Sequence, residues 1–360
     1  MASQDPNPPV NLSEYEALAR KRLSTMAYEY IAGGAADELT LKRNRDCFDD
    51  ILLEPRVLRD VSRVDTSLHL FASRLESPIL LAPTAYHKLV HPDGELATAR
   101  GAAAARVPLL VSSFATTPIE RIAESDGPLW FQLYVHPDRG FTRSLIERAE
   151  AAGSQALCIT VDTPVVGTRD RDRRVNFRLP PDVELVHLDG LGDRDAKATH
   201  LTGSGIYTNI LDPALTWETV SWIRSFAGTP VLLKGILSPE DARLAEQNGV
   251  DGMIVSNHGA RNLDTTPSTI EALPRIVEVL DGETRVLIDG GVRRGTDVLK
   301  ALALGAHAVL IGRPYLWALA VDGARGVENS VKLLRRELEA AMALCGRTDL
   351  SEIDAGLIWN

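Results

Sequence analysis

Eight short apolar runs recur along the chain from about residue 78, and a stretch with helical spacing of its apolar residues follows each one. The runs cover residues 78–82, 108–111, 129–133, 156–161, 230–234, 252–256, 285–289 and 308–312. They are continuously apolar rather than alternating, which is typical of strands buried on both faces of a parallel sheet. Eight strand–helix units in about 250 residues are what a closed (β/α)8 barrel requires.

A doubly wound open sheet is the alternative arrangement of alternating strands and helices. Such a sheet carries a G-x-G-x-x-G turn after its first strand, where a dinucleotide binds. The run at 78–82 is followed by PTAYHK, which lacks that pattern. We therefore predict an α/β fold of the (β/α)8 TIM-barrel class.

Two segments lie outside the repeat. Residues 1–75 contain helical pieces, and we interpret them as an N-terminal helical cap on a single domain (1–360) whose barrel spans 76–360. The connection between the fourth and fifth strands, residues 163–229, is long, and its periodicity fades at 180–204. Long connections in compact domains are commonly lids or disordered segments. We predict a mobile lid loop over the barrel mouth.

Charge and composition exclude several classes of partner. The chain has 360 residues and a net charge of −10, and its most basic stretch, residues 169–178, contains acidic residues. Nucleic-acid binding is therefore not expected. The N-terminus is polar, and no apolar run approaches the roughly 20 residues of a membrane-spanning helix. These features predict a cytoplasmic protein with no membrane association.

The three cysteines, Cys47, Cys158 and Cys345, are widely spaced and odd in number. Neither a disulfide framework nor a zinc site has this pattern. We expect free thiols in a reducing compartment and no metal.

Polar residues stand at or directly after the C-terminal ends of the eight runs, where a barrel of this class builds its active site. In chain order they are Thr84, Tyr86, Ser112, Gln132, Tyr134, Thr160, Asp162, Lys234, Ser256, His258, Asp289, Arg293, Gly312 and Arg313. Strand ends are often polar merely because they meet water. Solvation does not explain why a lysine, a histidine and several arginines converge on one mouth.

The last two runs end in DGGVRRG and GRP. Glycines let backbone N–H groups approach phosphate oxygens, and the loops after strands seven and eight commonly bind phosphate in this fold. The alternative is two ordinary glycine turns with solvated arginines. We predict a phosphorylated cofactor or substrate at this position.

Two further segments carry chemistry. Lys234 ends the apolar run VLLKG, where a buried ammonium needs an anion or an electron-rich ring, unless it points outward to solvent. The segment SNHGARNLD places His258 and Arg261 three residues apart after the sixth strand. A histidine accepts protons near neutral pH and an arginine can hold a carboxylate. The pair therefore predicts a base beside an anion anchor.

Seven segments together resemble the FMN-dependent 2-hydroxy acid oxidases and dehydrogenases, which include glycolate, lactate, mandelate and hydroxymandelate oxidising enzymes. They are YEYIAGGA from residue 28, APTAYHKLVHPDGE from 82, WFQLY from 130, TVDTP from 160, LKG from 233, SNHGARNLD from 256 and IDGGVRRGTDVLKALALGAHAVLIGRP from 288. The match runs over nearly the whole chain. It implies a TIM barrel that binds FMN.

The resemblance also implies how FMN is held. Lys234 would stand near N1 of the isoalloxazine ring, where a cation stabilises the reduced flavin. The ring-binding set is Pro83, Thr84, Ala85, Ser112, Gln132, Thr160 and Lys234, with Ser256 added by its position at the sixth strand end. The phosphate-binding set is Asp289, Gly290, Gly291, Arg293, Gly312 and Arg313.

By the same resemblance, Arg261 and Tyr30 would hold the substrate carboxylate, with Arg169 near it. Tyr134 would hydrogen-bond the 2-hydroxyl group. His258 would remove the hydroxyl proton or the C2 proton, and Asp162 would orient and stabilise the imidazolium. Hydride transfer and a carbanion mechanism both fit. The side chains expected to line the substrate side-chain pocket are Tyr86, Phe114 and Val166.

The activity expected from the resemblance is oxidation of an (S)-2-hydroxy carboxylate to the 2-oxo acid, with O2 as acceptor and H2O2 as product, in a homotetramer. A dehydrogenase of lactate or mandelate type with another acceptor, and a lactate-monooxygenase-like reaction, are the alternatives within the family. A phosphate-binding barrel without redox chemistry is the alternative from a different class. Glycolate, lactate, longer aliphatic and mandelate-type substrates all stay open.

Overall fold

Ten strands build one hairpin and one closed barrel in this computed structural model, which describes residues 8–188, 206–208 and 210–359. Strands β1 (Leu68–Leu70) and β2 (Ser73–Leu75) pair as an antiparallel hairpin. The barrel strands are β3 (Ile79–Leu81), β4 (Leu109–Ser112), β5 (Leu129–Leu133), β6 (Leu157–Thr160), β7 (Val231–Ile236), β8 (Gly252–Val255), β9 (Arg285–Asp289) and β10 (Ala308–Ile311). All barrel pairings are parallel, and β10 closes the barrel on β3. Each predicted run overlaps one strand, with ends that differ by at most two residues, so the (β/α)8 prediction is confirmed.

The α-helices of the described ranges are α1 (Leu12–Arg22), α2 (Thr25–Ala32), α3 (Leu39–Asp49), α4 (Gly94–Ala105), α5 (Ile119–Ala123), α6 (Arg139–Ala151), α7 (Asp170–Arg174), α8 (Trp217–Arg224), α9 (Pro239–Gln247), α10 (Thr269–Val277), α11 (Gly295–Ala303) and α12 (Arg313–Leu344). Short 3₁₀ turns cover His87–Leu89, Val186–Leu188, Leu350–Glu352 and Ala355–Leu357. Asp322 and Gly323 interrupt α12 with non-helical backbone angles. No helix among the described residues is long and apolar enough to cross a membrane.

The barrel interior has an apolar layer below and a polar layer above. The apolar layer is formed by Leu80, Leu110, Trp130, Cys158, Leu232, Ile254, Leu287 and Leu310. Side chains two residues apart on a strand point to the same face. The residues that follow two positions later, Ala82, Ser112, Gln132, Thr160, Lys234, Ser256, Asp289 and Gly312, therefore form the upper layer. Intervening residues such as Leu81, Val111 and Phe131 face outward into the main hydrophobic core.

Residues 1–75, predicted as a helical cap, serve both ends of the barrel. Helices α2 and α3 lie at the C-terminal mouth, where Tyr30 and Arg45 line the cavity. The hairpin lies at the opposite end, because Leu70 and Leu75 pack into the lower apolar layer. The helical prediction missed this hairpin, since strands of three residues are too short to show an alternating pattern. The division of the single domain into a cap (1–75) and a barrel (76–360) stays a prediction.

The connection from β6 to β7 contains α7, the 3₁₀ turn Val186–Leu188 and α8 within its described part. Residues 189–205 and 209 lie outside the described residues, and much of the predicted lid falls there. The predicted mobility of 163–229 therefore stays a prediction. The described part contributes Arg171, on α7, and Arg169, directly before that helix, to the cavity at the barrel mouth.

Replacement of Trp130 by Ala should destabilise the protein by about 3–5 kcal/mol, because a large side chain is removed from a closely packed layer. Trp130 is 1% exposed and packs against Phe71 of the hairpin, with 5.6 Å between the ring centroids. The measurement is urea unfolding followed by circular dichroism. Trp359→Ala is the control, since Trp359 is 60% exposed, and it should change stability by about 0.5 kcal/mol or less. Equal unfolding midpoints for the two variants would contradict the assigned packing.

Candidate active site

A cavity of about 1740 Å³, including its open mouth, lies at the C-terminal ends of the barrel strands. Most of the predicted site residues line it. These are Tyr30, Pro83, Thr84, Ala85, Tyr86, Ser112, Phe114, Tyr134, Val166, Arg169, Lys234, His258, Arg261, Asp289, Gly290, Gly291, Arg293, Gly312 and Arg313. Four predicted residues do not line the cavity. They lie behind it and hydrogen-bond to lining residues or to one another: Gln132, Thr160, Asp162 and Ser256.

His258 is held between a carboxylate on one side and a phenol on the other. Its Nδ1 lies 2.9 Å from Asp162 Oδ1, and its Nε2 lies 3.2 Å from the Tyr134 hydroxyl. The Thr163 hydroxyl also donates to Asp162 Oδ1, at 2.9 Å. Asp162 Oδ1 accepts both bonds, which places the imidazole proton on Nδ1. The lone pair of Nε2 therefore points toward the cavity, where Tyr134 donates to it.

Burial lowers the pKa of His258 below its ordinary value of 6.5, and the neighbouring Asp162 opposes this shift. Burial works against ionisation of Asp162 as well, but His258 holds the pKa of that carboxyl below 3.8. At neutral pH the pair is thus a carboxylate beside a neutral imidazole. Such a pair can take up a proton at Nε2 and stabilise the resulting imidazolium.

Arg261 lines the same cavity and has one donor without a partner. Its Nη1 donates to the carbonyl oxygens of Tyr30, at 2.6 Å, and Gly33, at 2.9 Å, while its Nη2 is buried with no hydrogen-bond partner. The guanidinium lies 4.8 Å from the ring centroid of Tyr30. Arg169 is held next to Arg261, because its Nε donates to the Arg261 carbonyl at 3.2 Å. An unsatisfied buried guanidinium N–H is a strong donor for a carboxylate oxygen.

Lys234 has an acidic partner, which the sequence did not reveal. Its Nζ lies 3.0 Å from Asp289 Oδ2 and donates to Ser256 Oγ at 2.9 Å. Burial disfavours the ammonium, but Asp289 and Asp162 raise the pKa of Lys234 well above 10.5. Lys234 is therefore charged and fixed in the upper layer of the barrel. The predicted part of Asp289 in phosphate binding can concern only its backbone, since its side chain serves Lys234.

A chain of hydrogen bonds crosses three neighbouring strands below the cavity. Ser112 donates to Gln132 Oε1 at 3.1 Å, and Gln132 Nε2 donates to Thr160 Oγ1 at 2.9 Å. All three side chains belong to the upper inward layer and are at most 5% exposed. Together with Lys234 and Ser256 they give the cavity a polar floor that can bind the polar edge of a planar ring.

Another part of the cavity is rich in positive charge. Arg293 and Arg313 are partly buried there, and neither has a carboxylate within 4 Å among the described residues. Arg313 also lies close to Arg261, because both guanidiniums donate to the Gly33 carbonyl. Burial, with the nearby charges of Arg261 and Arg293, lowers the pKa of Arg313 to about 9. The N-terminus of α12 opens here at Gly312 without a side-chain cap. Two guanidinium groups without a carboxylate partner, at a helix N-terminus, can bind an anion.

Helix α3 supports this anion site through residues that the sequence reasoning missed. Arg45 donates to the carbonyl of Gly291 and to Asp297 Oδ2, both at 2.6 Å. Gly291 has φ +94°, and a Cβ at this position would lie 1.9 Å from the backbone oxygen of Asn44. Only glycine fits this close approach. The R-N-R stretch from residue 43 lies about 250 residues from Gly291, so no local pattern could have revealed the contact.

Thr163 and Asn262 were also missed, although both flank predicted residues. Asn262 Nδ2 donates to the backbone oxygen of Asp162 at 2.9 Å and to Thr163 Oγ1 at 2.8 Å. These bonds fix the Asp162 carboxylate toward His258. Both residues stand inside the motifs TVDTP and SNHGARNLD, and their position there is the signal that could have found them.

Aromatic side chains surround the space beside Arg261. Tyr86 lies parallel to Phe114 at 6.3 Å between ring centroids, and Phe114 is 4.8 Å from the ring of Tyr134. Tyr30 stacks on Phe177 at 4.1 Å, a contact not foreseen from the sequence. Val166, predicted with Tyr86 and Phe114, lines the same cavity. An organic anion would meet an apolar wall here and a charged anchor beside it.

Comparisons with known proteins agree with this arrangement. Residues 19–360 match the family model described as FMN-dependent dehydrogenase. An L-lactate oxidase from Nostoc sp. is 48% identical over 97% of this chain and 98% of its own length. Glycolate oxidase 1 from Oryza sativa subsp. indica is 47% identical over 97% of this chain and 95% of its own length. A solved mandelate oxidase with (S)-2-phenylpropionate has a TM-score of 0.89 and 41% identity, and the match covers 98% of each chain.

The match covers most of the chain and includes the barrel, the cavity and the polar strand ends described above. It confirms the resemblance inferred from the seven sequence segments and the predicted dependence on FMN. This chain belongs to the FMN-dependent dehydrogenase family.

Proposed function

We propose that this protein oxidises an (S)-2-hydroxy carboxylate to the 2-oxo acid, with FMN as cofactor and O2 as acceptor, giving H2O2. The single observation that carries the proposal is a proton acceptor beside an unsatisfied guanidinium. His258 and Arg261, whose Nη2 has no hydrogen-bond partner, both line the cavity, and so do the two arginines of the anion site. A hydroxy acid presents these two groups with an acidic hydroxyl and a carboxylate on adjacent carbons.

The residues present fit FMN. Two guanidinium groups without carboxylate partners, those of Arg293 and Arg313, balance the dianionic phosphate, and the glycine turn at 290–291 leaves room for it. The polar floor of Ser112, Gln132 and Thr160 suits the edge of the isoalloxazine ring. Lys234, held by Asp289, supplies positive charge beside it. When bound, FMN accepts the two electrons that leave C2 of the substrate.

The remaining residues act on the substrate. Arg261 and Arg169 hold its carboxylate, and Tyr30 flanks the Arg261 guanidinium. The Tyr134 hydroxyl lies 3.2 Å from His258 Nε2, the atom that would accept the proton of the substrate hydroxyl. Tyr134 can therefore hydrogen-bond the substrate hydroxyl and position it against His258. His258 takes the proton at Nε2, and Asp162 stabilises the imidazolium through Nδ1. Tyr86, Phe114 and Val166 enclose the substrate side chain.

Oxidase chemistry is supported by the relatives, which are named lactate, glycolate and mandelate oxidases. Those names differ in the substrate side chain and agree in the 2-hydroxy carboxylate. We therefore propose the chemistry that these relatives share. Substrates that differ in their side chain are to be ranked by experiment.

We further propose a cytoplasmic homotetramer. Three free thiols, Cys47, Cys158 and Cys345, fit a reducing compartment. Large apolar side chains that stay exposed on the single chain, among them Leu52, Val57 and Leu58, provide surface for subunit contacts. Size-exclusion chromatography with light scattering measures the subunit number directly.

Anaerobic mixing of the FMN-loaded protein with glycolate, lactate, a long-chain 2-hydroxy acid and mandelate tests the proposed function. At least one acid should bleach the flavin, and admission of air should restore the colour and produce H2O2. His258→Ala should keep the yellow cofactor but reduce it on the order of 10²–10⁴-fold more slowly, because the base is missing. The control is His69→Ala, in the exposed hairpin at the far end of the barrel. Normal bleaching in His258→Ala would remove His258 from the mechanism.

Arg261→Met should weaken binding of the hydroxy acid by about 2–5 kcal/mol, since it removes the charged partner of the carboxylate. The measurement is the dissociation constant of acetate or the apparent KM for substrate. Arg173→Met is the matched control, because Arg173 is 72% exposed and pairs with Asp170 outside the cavity. An unchanged constant in Arg261→Met would reassign the anchor to Arg169.

The pH dependence of kcat/KM should report the free imidazole. Because the pKa of His258 lies below 6.5, kcat/KM should be level near neutral pH and fall as the pH drops through that lowered value. Asp162→Asn removes the charge that raises this pKa, so the acid limb should move to lower pH while the plateau falls on the order of 10²–10⁴-fold. Asp170→Asn, an exposed change, should leave both unaltered. An acid limb that does not move in Asp162→Asn would exclude His258 as the titrating base.

A further inference from the structure

A buried carboxylate lies near the two arginines that would hold the substrate carboxylate, Arg169 and Arg261. Asp172, on α7, does not line the cavity, and its side chain is 10% exposed. Its Oδ2 lies 3.8 Å from Nη1 of Arg169, and its Oδ1 is buried with no hydrogen-bond partner. The residue thus neither touches the cavity nor satisfies its own hydrogen bonds. Most buried polar atoms in proteins have a hydrogen-bond partner, so the unpartnered Oδ1 of Asp172 needs an explanation.

The charge of Asp172 is coupled to the proposed carboxylate anchor. Burial raises the pKa of Asp172, and Arg261 followed by Arg169 opposes that shift. The same carboxylate in turn raises the pKa of Arg261 against a larger effect of burial. Asp172 thus forms an ion pair with Arg169, at 3.8 Å, and acts on Arg261 through its charge without a direct ion pair.

Other charges near the carboxylate site have their own partners. Arg171, also near Asp172, forms ion pairs with Glu29 and with Glu38. Asp162 is paired with His258, and Asp289 with Lys234. Among the described residues, Asp172 is the one carboxylate within 4 Å of Arg169, and Arg261 has none within that distance. The negative charge of Asp172 therefore lowers the positive potential of the two arginines that would hold a substrate carboxylate.

We propose that Asp172 limits the substrate site to acids with a single negative charge and thereby discriminates against dicarboxylates. This inference rests on the proposed function, in which Arg261 and Arg169 hold the substrate carboxylate. A charge of fixed sign repels a bound dianion about twice as strongly as a monoanion at the same distance. The side chain acts through the arginines and their field, and it touches no substrate atom.

The test compares acetate with malonate, which adds a second carboxylate to the same carbon. Both acids are titrated near neutral pH into the oxidised, FMN-loaded protein, and binding is read from the flavin absorbance or by calorimetry. In the wild-type protein acetate should bind at least as well as malonate. In Asp172→Asn the affinity for malonate should rise relative to acetate by on the order of tenfold, because a neutral amide no longer repels the second charge.

Two other variants separate charge from structure. Asp172→Glu keeps the charge and should keep the wild-type ratio of the two affinities. Asp170→Asn changes a half-exposed carboxylate on the same helix and should also leave the ratio unaltered. Asp172→Ser is a second neutral variant, and it should show the same increase if the asparagine variant does not fold. A merely structural role would weaken both acids in parallel and leave the ratio unchanged.

The outcomes are distinguishable. A ratio that stays constant in both neutral variants, while both acids still bind, would overturn the role of Asp172 and leave the proposed function intact. Failure of either acid to perturb the bound flavin in any protein would instead overturn the carboxylate site itself.

Discussion

Closure of the parallel barrel is the constraint on which the site depends. Once β10 pairs with β3, every second side chain of eight strands must point into one small interior. Apolar residues fill the lower layer, with the hairpin residues Leu70 and Leu75 below it. The layer two residues further along each strand then emerges at the mouth, where polar groups meet the ligand and one another. The site is therefore built on rigid strand ends rather than on loops alone.

Charge is distributed unevenly around the mouth. Lys234 pairs with Asp289 and His258 with Asp162, so these side chains are held in fixed orientations. Arg293 and Arg313, by contrast, carry charge that no described carboxylate offsets, and burial lowers the pKa of both. An uncompensated buried cation is costly unless an anion binds to it. In the proposed function, His258 with Asp162 takes up the proton, and Lys234 supplies positive charge beside the flavin ring. The arginines without a carboxylate partner bind the anion.

The strand order and most of the cavity lining could be predicted from the sequence. Continuous apolar runs mark strands buried on both faces, and the residue after each run must lie at the same edge of the barrel. This logic found Lys234, His258 and Arg313 before any distance was known. It did not find the hairpin at Leu68–Leu75, whose strands are too short for a pattern. It also did not find Arg45, on helix α3, or Phe177, in the loop after α7, because the residues that they contact are distant along the chain.

The sequence by itself determined the fold class, the family and the set of chemical groups at the barrel mouth, because periodicity and local motifs are properties of neighbouring residues. Only the tertiary structure decided which groups pair. It shows that Lys234 pairs with Asp289 and that the proton of His258 is on Nδ1, facing Asp162. It also shows that Asp172 lies beside Arg169 at the carboxylate site. Charge pairing depends on distances between residues far apart in the chain, and those distances exist only after the barrel closes.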